Sequence, residues 1–196
     1  APGASLGGAR PKAGVTDEKG SLWIAKFPAA GDRTDIGAWE MVANELATDS
    51  GIDVASGQVK RFNDKHQTYL SKRFDRIGTK RRIHFASAMT LLGQRDGADG
   101  VSYLDLAAFL IKNGEDPKRD LEELWRRIAF NIAVKNTDDH LRNHGFLLTA
   151  GGWSLAPAYD VNPNEKGQGL TLNVSETDNA LDFGLALSVP KYFRVE

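Results

Sequence analysis

Eight consecutive residues in the second half of the chain bring carboxylate, amide and imidazole groups together: N-T-D-D-H-L-R-N, residues 136–143. Asp138 and Asn143 have the spacing D-x-x-x-x-N, in which the Asp orients or deprotonates an acceptor hydroxyl and the Asn holds a metal ion. Asp160 follows 22 residues after Asp138, and carboxylate and amide oxygens suit Mg²⁺. The spacing therefore predicts a phosphoryl-transfer site with a metal ion. The alternative is that Asp138 and Asp139 cap a turn and Asn143 begins a strand.

Two histidines at this segment, His140 and His144, are four residues apart, a spacing that on a helix could hold a metal ion. The sequence has no H-E-x-x-H motif and no cysteine, so zinc is not favoured. We interpret His140 as a residue that orients the loop.

A glycine-rich segment near the start of the chain, S-L-G-G-A-R-P-K at residues 5–12, could let the backbone approach a phosphate closely. Arg10 and Lys12 add positive charge, and Ser5 adds a hydroxyl that could be phosphorylated. The segment matches neither G-x-x-x-x-G-K-[ST] nor G-x-G-x-x-G, so a flexible basic loop is the alternative.

Lys26 lies within an apolar stretch, S-L-W-I-A-K-F at residues 21–27, that predicts a strand. A buried ammonium group needs a partner. A strand lysine that binds ATP phosphates would have one, and a solvent-facing lysine on an edge strand is the alternative. The helix predicted over 36–47 offers Glu40 and Glu45 as carboxylate partners, and we favour Glu40.

The segment L-S-K-R-F-D-R, residues 70–76, closes the first part of the chain. In a two-lobed kinase this segment would be the hinge, whose backbone binds the adenine edge while Phe74 packs near the ring. A strand with a core phenylalanine explains the segment equally well.

Residues 1–76 are predicted to form a small β-rich lobe, with a loop over 1–14, strands over 21–27, 53–61 and 67–74, and one helix over 36–47. The last two strands are expected to form a hairpin. Asp35 is a candidate N-cap of the helix, and Trp39, Val42, Leu46 and Ala47 form its apolar face.

Residues 77–196 are predicted to form a mainly helical lobe, with helices over 84–92, 102–112 and 118–135, a β-hairpin over 144–149 and 153–157, and short strands and turns over 168–189. In the longest helix, the polar face is predicted to carry Glu122, Glu123, Arg126 and Arg127. The expected fold is α+β and two-lobed, like that of a kinase.

Composition excludes some classes of protein. The chain has 196 residues, a formal net charge of −1 and no cysteine, which excludes disulfides and thiolate metal sites and gives no support for broad attraction to nucleic acid. No apolar run approaches 18 residues and no signal peptide is visible, so we expect no membrane span and a cytoplasmic location.

The order of the motifs resembles one family. S-L-G-G-A-R-P-K, I-A-K-F-P, K-R-F-D-R, R-R-I-H-F-A-S-A-M, N-T-D-D-H-L-R-N-H-G-F and L-A-P-A-Y-D together resemble the HipA-type serine/threonine kinases, toxins of bacterial toxin–antitoxin modules, from about residue 5 to residue 190. The resemblance implies a kinase fold, ATP and Mg²⁺ as cofactors, and a HipB-like DNA-binding antitoxin through which DNA is contacted indirectly. It also implies an aminoacyl-tRNA synthetase as the protein substrate, with growth arrest and persistence as the outcome.

Site residues follow from the same resemblance. Asp138 would be the catalytic base, Asn143 and Asp160 the metal ligands, Lys26 the phosphate-binding lysine, and Ser5 the serine whose autophosphorylation ejects the glycine-rich loop. The implied ATP-binding residues are Gly7, Gly8, Ala9, Arg10, Lys12, Lys26, Lys72, Arg73, Phe74, His140, Asn143 and Tyr159.

Compared with this family, the sequence lacks the subdomain that precedes the glycine-rich loop and the helical segment expected after K-Y-F. We therefore expect a fragment or one component of a split system. Two further functions stay open: a small-molecule or lipid kinase on the same scaffold, and an antitoxin-binding co-repressor module with little catalysis. The serine ahead of the glycine-rich loop favours the protein kinase.

Overall fold

The computed structural model describes residues 10–62, 65–78 and 81–195. The small lobe is built on an antiparallel sheet with the strand order β1-β2-β4-β3. Helix α1 follows β2 in the chain and packs on β3 and β4. These elements are β1 (Lys12–Thr16), β2 (Leu22–Lys26), α1 (Ile36–Asp49), β3 (Gly57–Arg61) and β4 (Gln67–Lys72).

Two predicted boundaries in this lobe were wrong. A loop was predicted over 1–14, but strand β1 begins at Lys12, where the chain pairs with β2 and places Lys12 opposite Lys26. The strand predicted over 53–61 begins only at Gly57, because the preceding residues pair elsewhere. The backbone N–H of Ala55 donates to the Ala158 carbonyl at 2.9 Å, which ties this segment to the large lobe.

Helix α1 turns its small and polar residues inward, so the predicted apolar face was wrong. Trp39, Val42 and Leu46 are 51%, 42% and 48% exposed, although Ala47 is buried as expected. The helix lies so close to β4 that a Cβ at Gly37 would stand 2.4 Å from the Gln67 carbonyl oxygen. The face that packs on the sheet carries Glu40, Ala43, Asn44 and Ala47.

The predicted N-cap and hairpin of the small lobe are present. The Asp35 carboxylate accepts from the backbone N–H groups of Ala38 and Gln67, at 3.1 Å each, and so joins the start of α1 to β4. Strands β3 and β4 pair antiparallel, with Val59 opposite Tyr69.

The large lobe packs α3 and α4 against a three-stranded sheet of order β7-β8-β9. Its core contains fully buried Tyr103, Leu124, Phe146 and Phe193. The elements of this part of the chain are β5 (Arg76–Ile77), β6 (Arg81–Arg82), β7 (Phe85–Ser87), α2 (Ala88–Leu91), α3 (Tyr103–Asn113), α4 (Pro117–Val134), β8 (Gly145–Leu148), β9 (Trp153–Leu155), α5 (Phe183–Ser188) and a 3-10 helix (Pro190–Phe193).

Three predictions for the large lobe need correction. The helix predicted over 84–92 is a strand, β7, that pairs with β8, and only the residues after it form the short helix α2. The tail contains helix α5, because Asp182 caps it by accepting from the Gly184 backbone N–H at 2.7 Å. On α4, Glu123 and Arg127 are buried rather than on a solvated polar face.

The burial of Arg127 and Glu123 has a local cause. The Arg127 guanidinium donates to the Glu123 carboxylate at 2.8 Å and to the Ala156 carbonyl at 3.0 Å. Glu123 also accepts from the Asp53 backbone N–H at 3.1 Å. The ion pair therefore joins α4 to the segments before β3 and after β9.

No helix in the described part of the chain is long and apolar enough to cross a membrane.

Candidate active site

Lys26 lies at the end of β2 and faces two carboxylates. Its ammonium group donates to Glu40 on α1 and to Asp160 Oδ1, the latter at 2.6 Å. Strand β2 lies between β1 and β4, and Lys26 is only 9% exposed, so the edge-strand alternative is wrong. Glu45, the other carboxylate considered, is exposed on the outer side of α1.

A second lysine approaches the same cluster from β1. Lys12 Nζ lies 3.8 Å from Asp160 Oδ2, the oxygen that Lys26 does not contact. The Asp160 side chain is 30% exposed, so this carboxylate lies at the open edge of the cluster while Glu40 lies at its buried end. Asp160 could therefore reach a bound ligand without leaving Lys26.

The three charged groups affect one another. Burial favours the neutral amine, but the Glu40 and Asp160 carboxylates outweigh it and raise the pKa of Lys26 above its ordinary value. Burial raises the pKa of Glu40 to about 7 against the opposing effect of the ammonium group. Burial would also raise the pKa of Asp160, but Lys26 lowers it below its ordinary value. Near neutral pH, Asp160 is thus the carboxylate that keeps its charge.

The backbone turns sharply at Asp160. Its φ is +59°, in the left-handed region that aspartate tolerates better than most residues. This turn follows β9 and directs the carboxylate back toward Lys26.

The loop with the D-x-x-x-x-N spacing follows α4 and is closed by its own hydrogen bonds. Helix α4 ends at Val134, and the C-cap residue that follows, Lys135, has a left-handed conformation with φ +54°. The Asp138 side chain is exposed. The backbone carbonyl of Asp138 accepts from Asn143 Nδ2 at 2.9 Å. Because the Asn143 amide nitrogen is used in this way, its Oδ1 is the atom left for a cation.

Asp139 anchors this loop from beneath, a role that the sequence did not reveal. Its Oδ2 accepts from the Tyr103 hydroxyl, from Asn131 Nδ2 at 2.7 Å and from His144 Nε2 at 2.9 Å. Burial would raise the pKa of Asp139, but the neighbouring His144 and the Tyr103 hydroxyl hold it below its ordinary value. Burial raises the pKa of Tyr103 well above its usual range, so the phenol stays a donor.

His140 contributes to the turn through its backbone N–H, which donates to the Asp138 carbonyl at 3.0 Å. Its ring Nδ1 is buried and has no hydrogen-bond partner among the described residues. This nitrogen is therefore available to a group other than the described residues.

The predicted hinge carries an aromatic cluster. The Phe74 ring lies 5.8 Å from that of Phe85 and 5.7 Å from that of Tyr159. The backbone N–H groups of Lys72 and Arg73 are already bonded within the small lobe. The Phe74 N–H and carbonyl, in contrast, form no hydrogen bond with any described residue, which leaves them for a ligand.

Side chains near the hinge are occupied. The Arg73 guanidinium donates to Asp75 through two bonds, at 2.7 and 2.5 Å, and Lys72 Nζ lies 5.9 Å from the centre of the Trp23 ring. The Tyr159 hydroxyl donates to the Arg142 carbonyl at 2.7 Å, which connects the hinge cluster to the loop of Asp138.

The predicted glycine-rich segment is described only from Arg10 onward. Ser5, Gly7, Gly8 and Ala9 lie outside the described residues. Arg10 donates to both oxygens of Asp32, at 2.8 and 2.6 Å, so its charge is paired away from Lys26 and Asp160. Of the two cations predicted for this segment, Lys12 is the one that lies at the site.

The chemistry of the predicted metal ligands suits a divalent cation. No cluster of three or more His, Cys, Asp or Glu side chains in the described ranges could hold a metal ion. The predicted ligands, however, are one carboxylate and one amide, Asp160 and Asn143, and each keeps an oxygen that accepts no hydrogen bond from a described residue. Mg²⁺ commonly uses one or two carboxylates together with water and phosphate oxygens, so the donor set suits it.

Two solved structures have a similar fold. The HipA chain in the Shewanella oneidensis MR-1 complex of HipA, HipB and operator DNA has a TM-score of 0.75 and 20% identity, covering 98% of this chain and 56% of that one. The Helicobacter pylori proinflammatory kinase CtkA has a TM-score of 0.67 and 16% identity, covering 86% of this chain and 69% of that one. These likenesses confirm the predicted two-lobed α+β kinase-like fold.

Two curated relatives are named as putative kinases. One, from Haemophilus influenzae, is 30% identical over 138 residues, which cover 61% of this chain and 40% of that protein. The other, from Sinorhizobium fredii, is 28% identical over 147 residues, which cover 70% of this chain and 33% of that protein. The chain thus spans well under half the length of these relatives.

The HipA-like C-terminal domain family matches residues 4–192, which is nearly the whole chain and close to the predicted span of about 5–190. The chain therefore belongs to the HipA-like C-terminal domain family.

Proposed function

We propose that the protein is an ATP-dependent kinase that transfers the γ-phosphoryl group of ATP to a serine or threonine hydroxyl of a protein. The observation that carries the proposal is the convergence of Lys26, Glu40 and Asp160 beside a loop with the D-x-x-x-x-N spacing. Phosphoryl transfer depends mostly on positioning and on neutralising charge, which is what these groups can provide.

In this proposal Lys26 binds the ATP phosphates, and Glu40 holds its ammonium group in place from α1. The raised pKa of Lys26 keeps it charged, so it can compensate phosphate charge. Lys12 supplies a second positive charge at the open edge of the cluster.

Asp138 positions the acceptor hydroxyl and takes its proton. Its exposed carboxylate is free to meet a substrate, and its backbone is fixed by the Asn143 amide. Asn143 and Asp160 would hold Mg²⁺, which would neutralise charge on the phosphates.

The adenine ring would lie at the hinge, with its edge on the free backbone groups of Phe74 and its face near the cluster of Phe74 and Tyr159. His140 would donate through its unpartnered ring nitrogen to a phosphate oxygen. Gly7, Gly8 and Ala9 are proposed to cover the phosphates.

Calorimetry with Mg²⁺ and a non-hydrolysable ATP analogue tests the nucleotide site. Wild type should bind, and Asp160→Asn should bind at least about tenfold more weakly, since it loses the carboxylate that would hold the cation. Asp99→Asn makes the same change at an exposed aspartate and is the matched control. Equal affinity of wild type and Asp160→Asn, or no binding by a folded wild type, would overturn the assignment.

We infer an aminoacyl-tRNA synthetase as the protein substrate and a HipB-like antitoxin as the partner, with DNA contacted through the antitoxin. The partner is supported by the similar HipA chain, which was solved together with HipB and operator DNA.

That complex also favours a second candidate function, an antitoxin-holding co-repressor with little catalysis. Phosphate transfer from radiolabelled ATP to proteins of a bacterial extract separates the two. Transfer that disappears in Asp138→Asn supports the kinase. Antitoxin binding without any transfer by wild type supports the co-repressor.

A further inference from the structure

Asn162 lies two residues after Asp160 and was not among the predicted site residues. Its Nδ2 donates to Asp160 Oδ1 at 2.9 Å, the same oxygen that accepts from Lys26. Two donors therefore fix one oxygen of the carboxylate, and Oδ2, which Lys12 Nζ approaches to 3.8 Å, accepts no hydrogen bond from a described residue. Sequence reasoning missed this residue because D-V-N has no recognised spacing.

The orientation of the Asn162 amide is determined by this contact. An ionised carboxylate can only accept, so the side chain must present its nitrogen to Asp160. The opposite atom, Asn162 Oδ1, is then buried with no hydrogen-bond donor among the described residues. A buried acceptor without a donor is costly, so a donor other than the described residues is expected there, such as a water molecule.

Asn162 also connects Asp160 to the loop of Asp138. Its backbone N–H donates to Asn136 Oδ1 at 3.2 Å, and Asn136 Nδ2 donates to Asn131 Oδ1 at 3.0 Å. Asn131 Nδ2 in turn donates to Asp139 at 2.7 Å. We call Asn131, Asn136 and Asn162 the asparagine relay.

The relay has one consistent direction. Asp139 can only accept, which makes Asn131 present its nitrogen to Asp139 and its oxygen to Asn136. Asn136 then has only its oxygen left, and the Asn162 backbone N–H is the donor that meets it. Asn131 and Asn136 are 4% and 1% exposed, so water does not compete for these bonds.

We propose that Asn162 is the positioning residue of the cation site: it orients the Asp160 carboxylate and, through the asparagine relay, fixes it relative to Asp139 and hence to Asp138. The inference rests on the proposed nucleotide and cation site and names a residue that controls it. Partners of this kind hold metal ligands in orientation, and their loss commonly weakens metal affinity.

The test measures how much Mg²⁺ the protein needs to bind a non-hydrolysable ATP analogue. Analogue affinity is measured by calorimetry over a series of Mg²⁺ concentrations for wild type, Asn162→Ala and Asn162→Leu. Both variants keep the backbone N–H to Asn136, and leucine keeps most of the volume, so at least one is expected to fold. The Mg²⁺ concentration at half-maximal enhancement should rise about 10- to 100-fold in both.

Asn113→Ala is the matched control, because Asn113 donates within its own helix, to the Phe109 carbonyl. It should leave the Mg²⁺ midpoint unchanged. Analogue affinity without Mg²⁺ should be the same in all variants, whereas a purely structural defect would weaken binding at every Mg²⁺ concentration and lower the melting temperature.

The outcomes separate this inference from the proposed function. If wild type binds with a clear Mg²⁺ dependence and both Asn162 variants share its midpoint within about twofold, Asn162 does not position the cation site. A uniform loss of affinity at all Mg²⁺ concentrations also overturns the inference. If folded wild type binds no analogue at any Mg²⁺ concentration, the proposed function falls, and this inference falls with it.

Discussion

The Oδ2 atom of Asp139 lies 2.9 Å from Nε2 of His144, and each of these buried residues directly follows a residue of the candidate site, Asp138 and Asn143. One residue earlier, Asn143 Nδ2 lies 2.9 Å from the Asp138 carbonyl. Two successive contacts therefore hold the ends of the loop together, one buried and one at the surface of the site. We expect the buried contact between Asp139 and His144 to stabilise the fold, and the contact between Asn143 and Asp138 to orient these two site residues.

Asp139→Ala is expected to destabilise the fold strongly. The change leaves the Tyr103 hydroxyl, the Asn131 amide and the His144 ring without their common acceptor. Removing one partner of a buried pair costs about 3–5 kcal/mol, and urea unfolding of wild type and variant measures the loss. Asp138→Ala, at the exposed neighbour, should change the free energy of unfolding by less than about 0.5 kcal/mol. Similar effects of the two substitutions would contradict the assignment of Asp139 as the anchor.

Asp138→Asn should keep nucleotide binding and lose phosphoryl transfer. The carboxylate is exposed and takes part in no ion pair with a described residue, so its removal should leave the fold intact. Loss of a positioned general base lowers the rate roughly 10²- to 10⁴-fold, which single-turnover transfer measures.

The neighbouring Asp139→Asn tests whether the assignment is shifted by one residue. Because Asp139 is an anchor, this variant must first be shown to be folded by its melting temperature. A folded Asp139→Asn without transfer, beside an active Asp138→Asn, would move the catalytic role to Asp139.

Glu40→Gln should change how stability depends on pH. Folded Glu40 keeps its proton up to a pKa of about 7, whereas the ordinary value is 4.5. Between these values the folded state binds more protons than the unfolded state, so the contribution of Glu40 to stability falls as pH rises. From pH 4.5 to 7, wild type should therefore lose about 3 kcal/mol relative to Glu40→Gln in urea unfolding.

Glu45→Gln, an exposed glutamate on the same helix, is the control for this measurement. Its stability should parallel that of wild type over the whole pH range. If the free energy of unfolding of Glu40→Gln also changes with pH as that of wild type does, the pKa of Glu40 is not raised in the folded protein.

The orientation of α1 shows where the sequence was insufficient. Helical spacing predicted the helix and Asp35 predicted its start, and both are observed. The large apolar residues Trp39, Val42 and Leu46, however, face outward, because the inner face must approach β4 closely and bring Glu40 to Lys26. The helical spacing of apolar residues predicts which residues share a face of a helix, but it does not predict which face packs on the sheet.

The candidate site was predicted where one segment carries the signal and missed where several segments meet. Spacing and order single out Asp138, Asn143 and Asp160, and their roles stay predictions. The asparagine relay joins α4, the loop after it and the turn after β9, so its members carry no joint sequence pattern. The Arg127–Glu123 pair was misread for the same reason, since its acceptors lie in distant segments.

The inverted face of α1 makes a specific prediction about stability. Leu46→Gln, on the exposed side, should change the free energy of unfolding by less than about 0.5 kcal/mol. Ala43→Leu, on the fully buried side, should cost about 1–3 kcal/mol through overpacking. Urea unfolding of the two variants checks this, and the reverse order of effects would mean that the conventional apolar face is buried.

Ser5 is predicted to be an autophosphorylation site that switches the kinase off. It lies two residues before Gly7, the first of the glycines proposed to cover the ATP phosphates, and phosphorylation would add about −1.5 to −2 charge there. Bound ATP is itself strongly anionic, so a phosphorylated loop could not easily close over it. Lys12 is the cation of this segment that lies at Asp160, while Arg10 is paired with Asp32. A phosphate on Ser5 would compete for Lys12 and weaken nucleotide binding.

Intact mass spectrometry after incubation with Mg²⁺ and ATP tests this prediction. Wild type should gain one phosphate, and both Ser5→Ala and the transfer-deficient Asp138→Asn should gain none. Because Ser5→Ala removes only the acceptor, it should still phosphorylate other proteins and should stay active for longer than wild type. A phosphate that persists in Ser5→Ala would place the site elsewhere in the chain. A wild type that phosphorylates other proteins but never itself would remove the self-inactivation mechanism while leaving the kinase assignment intact.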